Sequence, residues 1–212
     1  MTPDVFSTSP TTYALAENVG YMLGLRSISI TETLLATPAL RHEIDAKLAT
    51  LLGEVRPLLP DDARILWAVL TLTAQRRRQL ARIATLLLNQ PVVLATTNGE
   101  LLAQAVEFSG VPSILTTLRE MKMPKITTIP QLPILSLEAL SAFTSKTLRL
   151  TLGLFPPSYL ARIAMAEPRG SMPGIEVLEL GTPGRAGFLQ IIETATRLLA
   201  RTGDEHASNQ AV

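Results

Sequence analysis

Three short segments of this chain carry residue types that could do chemistry. The first runs from Ile175 to Gly187. Alternating apolar residues end in Glu179-Leu180-Gly181, and glycines follow at 184 and 187 ahead of an apolar helix. In nucleotide-binding turns of that form, backbone amides and a helix N-terminus face the ligand. Here Pro183 takes one amide out of the turn, and too few residues follow Gly187 in this sequence to complete a parallel sheet. The segment therefore reads as a Gly/Pro loop before the last helix, with a strand-like island at 175–180. The second segment, His42-Glu43, opens like a zinc-binding helix, but the position one turn on that needs another histidine is Ala46. His206 is the other histidine and cysteine is absent, so no metal site is expected. The third, Asp61-Asp62, marks a helix start, where carboxylates meet the positive end of the helix dipole. No glycine-rich loop ends in Gly-Lys at phosphate-binding spacing. On these residues we expect no catalytic group, no cofactor and no metal.

The dense charge lies elsewhere. Arg76, Arg77, Arg78 and Arg82 form the one basic cluster, and Arg78 and Arg82 stand one helical turn apart on a shared face. A solvated helix edge is the plain reading of such a run. The functional reading is a protein contact, because the planar guanidinium fork pairs with carboxylates at interfaces. These four arginines are the candidate partner-binding residues. Nucleic acid is not expected as a partner: a net charge of +1 leaves no basic face, and 4% aromatic residues supply no stacking platform.

The elements that must position these residues read as helices. Thr37 and Pro38 suit a helix start, Leu40, Ile44, Leu48 and Leu51 keep helical spacing, and Gly53 closes the segment. A further helix follows Asp61-Asp62 and continues or bends into the arginine segment, which Pro91 ends or kinks. Asn98-Gly99-Glu100 restarts a helix that stops at Gly110, and a short one follows Pro112. Residues 122–134 hold Pro124, Pro130 and Pro133 and form the candidate internal hinge or surface loop. A long helix from Ser136 reaches Leu154, Pro156-Pro157 turns the chain, and Pro157 opens a helix to about Ala166. Phe188, Ile191, Ile192, Ala195, Leu198 and Leu199 make a clean amphipathic stripe. Residues 1–12 read as an irregular lead-in and 203–212 as a disordered tail.

The expected fold is all-α: a compact multi-helix domain over 1–202, with at most one short strand or hairpin near 175–180. Apolar residues make up 47% of the chain and the mean hydropathy is +0.28, yet no stretch approaches the ~20 uninterrupted apolar residues of a membrane span. Such a chain has two outlets for its apolar surplus, a large core or a partner interface. The absence of cysteine suits a reducing compartment, and the N-terminus lacks the basic start of a secretory signal.

Two stretches carry a family resemblance. One is Gln79-Leu-Ala-Arg-Ile-Ala-Thr-Leu-Leu-Leu88, with Val92-Val-Leu94 and Leu101 to Phe108 after it. The other is Leu148-Arg-Leu-Thr-Leu-Gly-Leu-Phe-Pro-Pro-Ser-Tyr-Leu-Ala-Arg162. With its leucine-rich helix, double-proline corner and following helix, the chain resembles the SctK family, the accessory component of the bacterial type III secretion sorting platform. Phe6 and Pro10-Thr-Thr-Tyr13 are similar to the opening of some members. The matched stretches cover under half the chain, and Ala14-Leu15 departs from the Leu-His that some members carry. The resemblance implies a non-enzymatic cytoplasmic adaptor, peripheral to the inner membrane through its partners. Those partners would be the cytoplasmic domain of the inner-membrane ring protein and the C-ring-like protein that carries the stator and ATPase. The alternative from the residues is a small helical ligand-binding domain or enzyme with an apolar pocket.

Overall fold

In the computed structural model of the protein, the described residues are 3–169 and 180–209, with side chains described at 6–60, 62–169 and 180–202. They form twelve α-helices: α1 (Pro3–Thr8), α2 (Ala16–Met22), α3 (Ile28–Ala36), α4 (Pro38–Leu52), α5 (Pro60–Leu70), α6 (Ala74–Leu88), α7 (Gln90–Ala95), α8 (Gly99–Ser109), α9 (Ile114–Glu120), α10 (Leu137–Gly153), α11 (Pro157–Met165) and α12 (Gly181–Asn209). The fold is all-α, as the periodicity predicts. No strand occurs among the described residues, and the strand-like island at 175–180 falls almost wholly outside them. The sequence expectation is one helical domain over 1–202 for this chain. The chain divides into two compact units, Met1–Pro60 with Leu154–Gly174, and Asp61–Gly153 with Ile175–Val212.

The first unit contains helices that periodicity missed. Residues expected to be irregular form α1 and a 3-10 turn at Pro10–Thr12, and α2 and α3 fill the span before Thr37. α3 is capped by Ser27, whose hydroxyl accepts the Ile30 amide at 3.4 Å. Its one fully buried residue is Thr31, while Ile28 and Ile30 face solvent, so it shows no apolar stripe. α2 and α3 meet at Gly20, where an added Cβ would lie 2.6 Å from Thr31 Oγ1. Val19, Ile44, Leu48 and Met165 make the core of this unit. Beside it Phe6 stacks between Tyr13 and Tyr159, with ring centroids 5.2 and 5.4 Å away. α4 starts on Pro38 and ends at Gly53, whose φ of 75° favours glycine.

The second unit is built around α6. From Leu80 to Leu88 every residue of this helix except Arg82 is buried, so it needs neighbours on nearly all sides. α10 and α12 supply most of that cover and α8 adds to it. Polar groups enter without penalty because each has a partner: Thr85 donates to Thr147 at 2.9 Å, and Thr147 donates to the Phe143 carbonyl at 3.0 Å.

The proline-rich segment belongs to this unit and is packed. Met123, Ile126, Ile129, Leu132 and Leu135 are buried at every third position, the period of a polyproline-type chain. Asn89, itself fully buried, accepts the Leu132 amide at 2.7 Å and donates to the Thr85 carbonyl at 2.8 Å. Gln90 accepts the Met123 amide at 3.1 Å. Of the two readings of 122–134, hinge or surface loop, these contacts fit a loop pinned at several points. The division between units falls elsewhere.

Candidate functional site

The four arginines of the basic cluster are drawn apart by the fold of α6. Thr73 caps this helix, accepting the Arg76 amide at 3.3 Å, and the helical period then sends adjacent arginines to different surroundings. Arg76 is half-buried and reaches Gln79 at 3.5 Å. Arg77 is 5% exposed and bonds the Leu72 carbonyl at 2.5 Å and that of Leu70 at 3.4 Å. These carbonyls lie at the C-terminal end of α5, where backbone acceptors lack helical partners. Arg77 is therefore a structural cap, and its place in the candidate partner-binding set is corrected. Arg78 and Arg82 remain exposed one turn apart, and the Arg82 guanidinium lies 5.4 Å from the centroid of the Phe108 ring.

The other sequence candidates take structural roles or stay solvated. His42 and Glu43 are exposed on α4, and among the described residues no group of three or more His, Asp or Glu side chains is placed to hold a metal ion. Asp62 is buried and pairs with Arg185 of α12 at 2.6 Å. The glycines at 181, 184 and 187 lie inside α12, where a loop was expected up to Gly187. A Cβ at Gly187 would touch Pro124 at 3.3 Å, and one at Gly184 would meet Thr128 at 3.6 Å. Their smallness seats the proline-rich segment against the helix.

Two clefts in the first unit went unseen in the sequence. The larger, about 590 Å³, opens where α4 ends, with Ser7, Thr50, Glu54, Tyr159 and Arg162 on its walls. Arg162 is 1% exposed. Its Nη1 donates to the Leu52 carbonyl at 3.3 Å and to that of Ser158 at 3.2 Å, and its Nη2 to the Gly53 carbonyl at 2.9 Å. The guanidinium thus caps α4 as Arg77 caps α5. Burial pulls its pKa down, while Tyr13 and Tyr159 oppose that. Burial likewise drives the Tyr13 phenol well above its ordinary range, which the Arg162 charge only partly offsets. The Tyr13 hydroxyl donates to the Phe6 carbonyl at 3.0 Å.

The second cleft is an apolar groove of about 400 Å³ lined by Met22, Leu51, Leu52 and Met165, with Tyr21 and Arg169 among its walls. Asn18 holds this part of the unit together: its Nδ2 donates to the Met165 carbonyl at 3.0 Å and to that of Glu167 at 2.7 Å. The Leu15 amide donates to the Met165 carbonyl at 2.8 Å. The Arg169 guanidinium sits 4.0 Å from the centre of the Tyr21 ring. Tyr21 is 64% exposed and Leu51 51%.

Comparison with family models, curated proteins and solved structures returned no match to this chain.

Proposed function

We propose that this chain is a non-enzymatic adaptor of a type III secretion sorting platform. It links the cytoplasmic domain of the inner-membrane ring protein to the C-ring-like protein and its ATPase–stator complex. The resemblance in the α6 and α10–α11 stretches motivates the reading. The observation that carries it is the solvent-facing apolar surface of the first unit, where Tyr21, Ile28, Ile30, Leu51 and Leu59 are each more than half exposed. Of the eleven exposed large apolar side chains among the described residues, seven lie in this unit. Exposed apolar side chains of this kind are what a protein partner covers when it docks, and on this reading the first unit supplies that surface. On this reading the protein works on the cytoplasmic side of the inner membrane, held there by its partners. No single described helix is long and apolar enough to cross a membrane.

The test is co-expression with the ring-protein cytoplasmic domain and the C-ring-like protein of a type III secretion system. Retention of both on the tagged chain is the expected result. A chain that elutes without either partner would overturn the adaptor reading.

A second reading, a small ligand-binding domain, has the 590 Å³ cleft in its favour, a volume within the usual range for small-molecule sites. A thermal-shift screen with nucleotides and methyl donors tests it, since a ligand at 100 times its dissociation constant adds ~2.7 kcal/mol.

A further inference from the structure

Resting on the reading of the chain as a binding scaffold, we infer that the 400 Å³ groove of the first unit receives an apolar segment of a protein partner that carries an acidic side chain opposite Arg169. The groove leads onto the core of the unit: Met165 is a core residue, and Met22 and Leu52 pack against that core while remaining partly open. Its walls have the residue types that accept an aliphatic anchor. The charge of the occupant follows from Arg169, the one charged residue on the walls among the described residues.

The arginine is held in place for that task. Its guanidinium lies over the Tyr21 ring, and its backbone amide donates to Glu17 Oε1 at 3.2 Å. Glu17 thus fixes the backbone at this point, and among the described residues no carboxylate forms an ion pair with the Arg169 guanidinium. An exposed arginine stacked on an aromatic face keeps its N–H edge free for a carboxylate. An apolar segment with a basic residue would meet like charge at the rim, so charge complementarity selects an acidic one.

The test uses the full chain as bait for a phage-displayed random peptide library. Two variants, Ala161→Trp and Arg169→Glu, act as counter-baits. Ala161 is an exposed position on the groove wall, so a large ring there blocks the groove without entering the core. Both variants are first shown to keep the wild-type helical circular dichroism and melting temperature. The expected result is enrichment of peptides that combine aliphatic residues with Asp or Glu. Their affinity should fall tenfold or more for either variant, and replacing the acid by Lys should restore binding to Arg169→Glu. Enrichment of peptides indifferent to both variants, or no enrichment, would overturn the inference. So would self-association of the wild-type chain in sedimentation that Ala161→Trp abolishes, because the occupant is then a second copy. If acidic apolar peptides bind as expected but neither platform protein is retained, the adaptor reading fails and the groove stands. If the platform proteins are retained undiminished by both variants, the adaptor reading stands and the groove assignment fails.

Discussion

Arg162 donates through Nη2 to the Gly53 carbonyl at 2.9 Å, across 109 positions of sequence. With the bond to Leu52, this closes the C-terminal end of α4 with a side chain from α11. The end of a helix presents unpaired carbonyls and a partial negative charge, and a guanidinium meets both needs. Replacing Arg162 by Met leaves those carbonyls buried or part-buried without donors. We expect a loss of about 2–4 kcal/mol from the unmade bonds, read by urea unfolding. Lys keeps the charge without the fork, and should recover only part of the loss.

Arg77 and Arg78 are adjacent, yet one is buried and the other exposed. Arg77→Glu places a carboxylate against the carbonyls of Leu70 and Leu72 and should destabilise by about 3–5 kcal/mol, the range for breaking a buried charge contact. Arg78→Glu should change stability by less than about 0.5 kcal/mol. Paired thermal melts check this.

Gly20→Ala should cost about 1–3 kcal/mol by overpacking, because its Cβ would sit 2.6 Å from Thr31 Oγ1. Thr31→Ala removes that oxygen. A double-mutant cycle should therefore show Gly20→Ala to be less harmful in the Thr31→Ala background, measured by chemical denaturation.

Asn89→Ala strands the buried Leu132 amide, while the Thr85 carbonyl keeps the backbone amide of residue 89 at 3.1 Å. We expect a loss of about 1–3 kcal/mol. Hydrogen exchange should speed up across 122–134 more than in α6, since the proline-rich segment loses a fixed point while the helix ladder keeps its own bonds.

The Tyr13 phenol is held above its ordinary range, chiefly by burial. Once the pH passes the unfolded phenol value of ~10, the unfolded chain releases a proton that the folded chain keeps. Stability is therefore unaffected by this group below that pH and falls as pH rises above it. Tyr159 shifts in the same direction for the same reason. Tyr13→Phe should flatten part of the alkaline fall in melting temperature while lowering stability at neutral pH, because the Phe6 carbonyl loses its donor. An unchanged alkaline slope would place the phenol in water.

The helices with local punctuation were legible in the sequence. Thr37-Pro38 and Gly53 bound α4, and Asn98 and Gly110 bound α8, with Asn98 accepting the Glu100 amide at 2.9 Å. Caps, prolines and apolar periodicity act between residues a few positions apart, so the sequence alone determines them. α3 escaped because it mixes exposed Ile28 and Ile30 with buried Thr31, and α2 because it buries Asn18 and Gly20 while Tyr21 faces solvent, which blurs the period that marks a helix. The charged edge at Arg78 and Arg82 was also readable, being one turn of one helix.

Long-range partners decided the rest. Whether an arginine is a free cation or a cap depends on which carbonyls the fold brings to it, and for Arg162 these lie on a helix more than a hundred positions away. Asn18 reaches Glu167 across 149 positions, and the groove beside them exists only because α2, α4 and α11 converge there. Local sequence sets which segments coil. Only the packed chain determines which of their polar groups face water and which are consumed in holding the helices together.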